Sequence, residues 1–210
     1  MNYLMADKAI QDMNRRNIRA FDSLKTLKFD ELNVFRSVSK VYDDSVRVAK
    51  KRYKSIALVA FEEALIACGV PAKEAEKRTE DTIDDDWILD MLEEYDALTL
   101  YSFENEVERK THRTTEAILA SQDKVAAVDE ALRLWTIQVR QYADNSVWYA
   151  TIDGYQSAGV KKVRWIDEGD ERVCKICRKL NGKVFDIDKV PPQPHYRCRC
   201  LLEPVIEKKR

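Results

Sequence analysis

Apolar residues recur every third or fourth position through most of the first 158 residues, the spacing of one helix face. Met1 to about Lys28 carries Ile10, Met13, Ile18, Phe21 and Leu24 at such intervals, an amphipathic arm that packs as a core helix or docks on a partner. From Asp30 to Cys68 the stripe is Val38, Tyr42, Val46, Ala49, Tyr53, Ile56 and Ala60; Gly69 then ends the helix and Pro71 prevents its continuation. In residues 72–95 the run Asp84-Asp85-Asp86 precedes Trp87, Ile88, Leu89, Met91 and Leu92. Clustered carboxylates suit the positive end of a helix dipole, and no spaced oxygen-ligand loop follows to favour magnesium. Asp96 to Ala120 is again helical, with Leu98, Tyr101, Val107, Ile118 and Leu119 as its apolar residues. Ser121 to Tyr142 is the clearest amphipathic helix, striped by Val128, Leu132, Trp135, Val139 and Tyr142. Asp144 and Asn145 then offer an N-cap for a separate helix through Val147, Trp148, Ile152 and Tyr155, closed by Gly159.

Breakers divide the chain in two. Of five prolines only Pro71 precedes residue 190, and of five glycines only Gly69 precedes residue 154. Past Gly159 the pattern changes: Val163 and Trp165 alternate with polar neighbours, and Asn181-Gly182 sits between R-K-L and K-V-F, as a type I′ hairpin turn would. The expected fold is α+β, a mostly α-helical body of long amphipathic helices (1–158, including the N-terminal arm) followed by a small C-terminal β-hairpin module (159–210).

Charge follows the same division. Net charge is -1 overall, yet from Val160 onward there are 14 Lys and Arg against 8 Asp and Glu, leaving the body acidic. A basic module suits a nucleic-acid or acidic-protein neighbour, although a merely solvated surface has the same composition. No apolar run is long enough to span a bilayer, and no leader is evident, so a soluble, intracellular chain is expected. No phosphate-cradling glycine loop, nucleophile elbow or acid/base constellation stands out. His112, among Lys110, Arg113 and Thr114, reads as a surface residue, and Cys68 as a small buried hydrophobe.

The chemistry concentrates between residues 174 and 200. Cys174-x2-Cys177 places two thiols where a tight turn brings both sulfurs to one ion, and after 17 intervening residues His195-x2-Cys198-x-Cys200 supplies three more donors. A tetrahedral zinc takes four. In an extended strand Cys198 and Cys200 share a face and His195 points away, whereas in a turn His195 and Cys198 converge. Cys174, Cys177, His195 and Cys198 form the preferred set, with four cysteines as the other; one structural Zn2+ is expected. A catalytic zinc keeps a position open to water, which a thiolate-rich site does not need. Disulfides would leave Cys68 unpaired, and a redox C-x2-C belongs to a βαβ context that is missing.

One family has this arrangement. An aromatic strand, then D-x-R-V-C-x2-C-x2-L-x-G-x-V-F from Asp170 to Phe185, then a proline-rich loop ending P-H-x2-C-R-C, resembles the phage Mu F-like head morphogenesis proteins, over about residues 140 to 204. The resemblance implies a minor head protein of a tailed bacteriophage or prophage, made in the host cytoplasm and carried in the virion head near the portal. It implies portal protein, major capsid protein and phage DNA as candidate partners in a multi-copy assembly, with a role in genome packaging or delivery. It makes Cys174, Cys177, His195, Cys198 and Cys200 the metal-site residues. Trp165, Asp170, Arg172, Gly182 and Arg199 become framework, with Arg199 placed to pair with Asp170 or to touch phosphate. Larger relatives fuse the module to toxin domains; none is expected beyond Arg210, so no enzymatic activity is expected. The competing reading is a zinc-stabilised nucleic-acid-binding regulator of a phage or mobile element.

Overall fold

Two long helices, α2 (Glu31–Ala67) and α6 (Lys124–Ser157), run against each other and organise everything else. The computed structural model describes residues 3–97, 103–195 and 197–206. Each long helix begins at an aspartate whose carboxylate accepts the backbone N–H three residues on: Asp30 from Asn33 (3.0 Å) and Asp123 from Ala126 (2.9 Å). Near its far end α6 needs Gly154, because a Cβ there would stand 2.7 Å from the Phe61 carbonyl oxygen of α2. The missing side chain lets the two backbones meet.

Three further helices, α1 (Tyr3–Leu24), α4 (Asp85–Ala97) and α5 (Phe103–Ala120), pack around that pair, and α3 (Ala72–Thr82) lies against α2. The predicted stripes are buried: Ile10, Met13, Phe21 and Leu24 on α1; Val38, Tyr42, Ala49, Tyr53, Ile56 and Ala60 on α2; Val128, Trp135, Val139 and Tyr142 on α6. The N-terminal arm is thus a core helix. Asp84 caps α4 by accepting the Trp87 N–H (2.8 Å), and Asp85 pairs with Lys54 (2.7 Å), so the acidic run starts a helix.

Several expectations need correction. Ile18 is 46% exposed, and its neighbour Asn17 takes the inward position. There the Trp135 indole N–H donates to Ser45 Oγ and the Ser45 hydroxyl donates to Asn17 Oδ1, both at 2.7 Å, joining α6, α2 and α1. Leu89 is exposed, whereas Thr111, Thr114 and Thr115 of α5 are buried. Asp96 belongs to the end of α4, while Leu98 and Tyr101 lie outside the described residues. No helix starts at Asp144-Asn145, because α6 runs unbroken through both. With no proline or glycine to stop it there, the helix continues, and Arg140 one turn earlier donates to the Asp144 carboxylate (2.8 Å).

Gly159, at φ +83°, ends α6 in the left-handed conformation and turns the chain toward β1 (Lys162–Ile166). A three-stranded antiparallel sheet follows in the order β2-β1-β3, with β2 at Val184–Asp186 and β3 at Leu201–Pro204. Val163 faces Phe185 across one pair and Trp165 faces Leu202 across the other. Val163 and Trp165 are fully buried, as their alternation predicts. They share a second core with Ala64 of α2 and with Trp148, Ile152 and Tyr155 of α6.

The turn is different from the one expected. R-K-L lies in a short helix, α7 (Lys175–Leu180), and Asn181 has φ -52° and ψ 130° before Gly182 at φ +76°. This is a type II turn, closed by Lys183 N–H donating to the Leu180 carbonyl (3.0 Å), since type I′ requires positive φ at both residues. β1 and β2 are therefore antiparallel neighbours joined through α7, not by a two-residue hairpin.

Candidate metal centre

The first half-site is built by α7. Cys174 is its N-cap, and the Cys174 sulfur accepts the Cys177 backbone N–H at 3.3 Å. That bond draws the Cys174 thiol below the usual range. Cys177, three residues on, points inward and is 2% exposed.

The second half-site comes from the loop before β3. Arg197, at φ 57°, turns the chain so that the Cys198 N–H donates to the His195 carbonyl (3.2 Å). Cys198 and Cys200 are buried, and His195 is partly exposed.

Both half-sites meet at Cys177. Its sulfur lies 3.3 Å from His195 Nε2 and 3.6 Å from Cys198 Sγ. The five donors form two overlapping triads, Cys174/Cys177/His195 and Cys177/Cys198/Cys200, each with its ligand atoms within 4.8 Å of one another. Zinc at its usual bond lengths separates two tetrahedral ligands by about 3.6 Å for sulfur and nitrogen and about 3.8 Å for two sulfurs. The donor chemistry and these spacings fit one tetrahedral ion. Cys68 caps the end of α2 and is not among the clustered donors.

Without a cation such crowding disfavours thiolates. Burial, with Cys200 and Cys174 beside it, pushes the Cys177 thiol up to about 12, and the bond to Cys198 pushes Cys200 up further. A bound dication reverses this, because a coordinating thiol loses its proton.

Around the donors the framework residues take defined places. Arg199, between Cys198 and Cys200, makes two hydrogen bonds to Asp170, and the Asp170 carboxylate also accepts the Arg172 N–H (3.0 Å). Of the two roles open to Arg199, pairing with Asp170 is the one observed. Trp165 supports the cluster from the sheet, its ring 4.9 Å from that of Trp148. Trp148 lacked any signal beyond its place on a helical stripe, although it forms the floor on which the module rests.

Other expected features are surface or structural. His112 is exposed and lies against the Phe35 ring at 5.1 Å, far in sequence from the cluster. No helix among the described residues is long and apolar enough to cross a membrane.

Comparison with known proteins gives one match. Residues 102–203 fit the family model described as Phage Mu protein F like protein, which is the family the motif resembles. The matched span reaches further upstream than the motif, taking in α5 and all of α6 as well as the five donors. No curated protein and no solved structure matches the chain.

Proposed function

We propose that this chain, whose residues 102–203 belong to the Phage Mu protein F like family, is a minor head protein acting in head morphogenesis of a tailed phage or prophage. The observation that carries this reading is the coincidence of the family span with a complete five-donor cluster, fixed to α6 through Trp148 and Trp165. In this reading the protein is structural and not an enzyme. One zinc ion, held by Cys177 with partners drawn from Cys174, His195, Cys198 and Cys200, ties the loop before β3 to α7 and adds folding energy to the small C-terminal module. The helical body offers the larger surface to portal or capsid subunits. Assembly takes place in the host cytoplasm, and the protein stays in the head near the portal.

The test is the protein content of particles. Purified DNA-filled heads, analysed by quantitative mass spectrometry, contain the chain in few copies relative to the major capsid protein. Presence only in the soluble lysate overturns the assignment.

A further inference from the structure

Residues 172–185 contain Arg172, Lys175, Arg178, Lys179 and Lys183 and not one acidic residue. All five cations are exposed. Their placement follows from α7: with 3.6 residues per turn, Lys175, Arg178 and Lys179 fall within one arc, and Cys177 points to the opposite side, into the donor cluster. Lys175 and Lys179, one turn apart, stand about 6 Å from each other. Lys183 follows in the type II turn, and Ile176 beside them is 55% exposed.

What distinguishes this surface is its lack of internal neutralisation. Some exposed cations elsewhere are matched, as Arg47 is by Asp44 and Arg133 by Glu130, and lysines unpaired among the described residues, such as Lys73 and Lys77, alternate along α3 with Glu74 and Glu76. Arg172 and Arg178 reach toward Asp170, through its carboxylate and its carbonyl. The ammonium groups of Lys175, Lys179 and Lys183 make no hydrogen bond or ion pair among the described residues.

We infer that the outer face of α7 and its following turn bind the phosphate backbone of double-stranded DNA. Protein partners are the weaker fit, because lysine is depleted at protein–protein interfaces, whereas DNA interfaces are strongly positive and are built on such point charges. The one amide in the turn, Asn181, is engaged by the Asp167 N–H (3.1 Å), and the lysines act as point charges on phosphate, so binding is independent of sequence and falls steeply with salt. The cysteine half-site on the inner side of α7 sets the angle at which the lysines are presented. DNA binding by this face does not require the chain to be a head protein, so either reading can fail alone.

The experiment is fluorescence anisotropy with the full-length chain and a labelled short duplex of mixed sequence, titrated at several salt concentrations. Three proteins are compared: wild type, K175E/K179E/K183E, and K40E/K73E/K77E, which changes net charge equally on α2 and α3. K175Q/K179Q/K183Q stands in if charge reversal impairs folding. The expected result is binding by wild type at low salt, at least about tenfold weaker binding in either α7 triple variant, and a salt slope reduced by about 2 to 3. The α2/α3 variant keeps the wild-type slope. Equal losses in both sets, or no wild-type binding at about 50 mM salt, overturn the inference. Equal affinity for poly-glutamate also overturns it, in favour of an acidic protein partner.

Discussion

Arg199 and Asp170, 29 residues apart, meet through two parallel hydrogen bonds of 2.8 and 2.7 Å. Arg199 sits between two donors of the second half-site, and Asp170 lies four residues before the first donor of the other. The guanidinium holds the Asp170 carboxyl below the usual carboxylate range, so the clasp is charged at neutral pH. It ties the segment before the first half-site to the second. Asp170→Asn or Arg199→Gln is expected to lower zinc affinity by about tenfold, with no ligand removed. Competition with a chromophoric chelator measures it, and unchanged affinity in both variants removes the clasp from the account.

Zinc removal should be local. The second core joins Trp165 and Leu202 to Trp148, Ile152 and Tyr155, whereas most of the helical core lies in a separate cluster. Chelation is expected to change tryptophan fluorescence and near-ultraviolet dichroism while most far-ultraviolet helical signal persists. Simultaneous loss of both would show that the bundle also depends on the ion.

At the crossing of α2 and α6, a methyl group on residue 154 would stand 2.7 Å from the Phe61 carbonyl oxygen and 2.8 Å from Ala64 Cβ. Neither is a flexible side-chain end. Gly154→Ala is therefore expected to destabilise the protein by about 2 kcal/mol, despite the better helix propensity of alanine. The urea midpoint reports it; an unchanged or higher midpoint contradicts so close an approach.

Asp144 supplies a pH signature. Burial raises its pKa from 3.8 to about 6, with the Arg140 guanidinium opposing the shift. Because the folded pKa exceeds the unfolded one, the native state holds the extra proton between these values, and stability falls as pH rises through that window. Relative to wild type, Asp144→Asn should gain up to about 3 kcal/mol between pH 4 and 7. Urea unfolding of both proteins across that range tests the sign. A difference that does not vary with pH excludes the buried carboxylate as its source.

The helical faces were legible because burial there follows apolar spacing, as at Val128, Trp135, Val139 and Tyr142. The same rule misplaced residues wherever the core is polar. Asn17, Ser45 and Thr114 are interior because they hydrogen-bond to one another's helices, a pairing no local pattern records. Asp144 and Asn145 looked like a helix start because a buried aspartate paired one turn back has the same sequence signature as a cap. The clustering of Cys174, Cys177, His195, Cys198 and Cys200 was legible because their spacing is local in each half-site. The turn at Asn181-Gly182 was misread because its type depends on α7, which Cys174 caps. How the half-sites close was undecided for a similar reason: Arg197 adopts a left-handed turn, and Asp170 clasps Arg199 across the fold.

The central claim is that Cys177 is the shared ligand of one structural zinc. Metal content per chain, measured by mass spectrometry on protein purified under reducing conditions, addresses it directly. About one zinc is expected in wild type and in Cys68→Ser, and almost none in Cys177→Ser. A metal-free wild type, or equal zinc in the Cys177→Ser and Cys68→Ser proteins, contradicts the account.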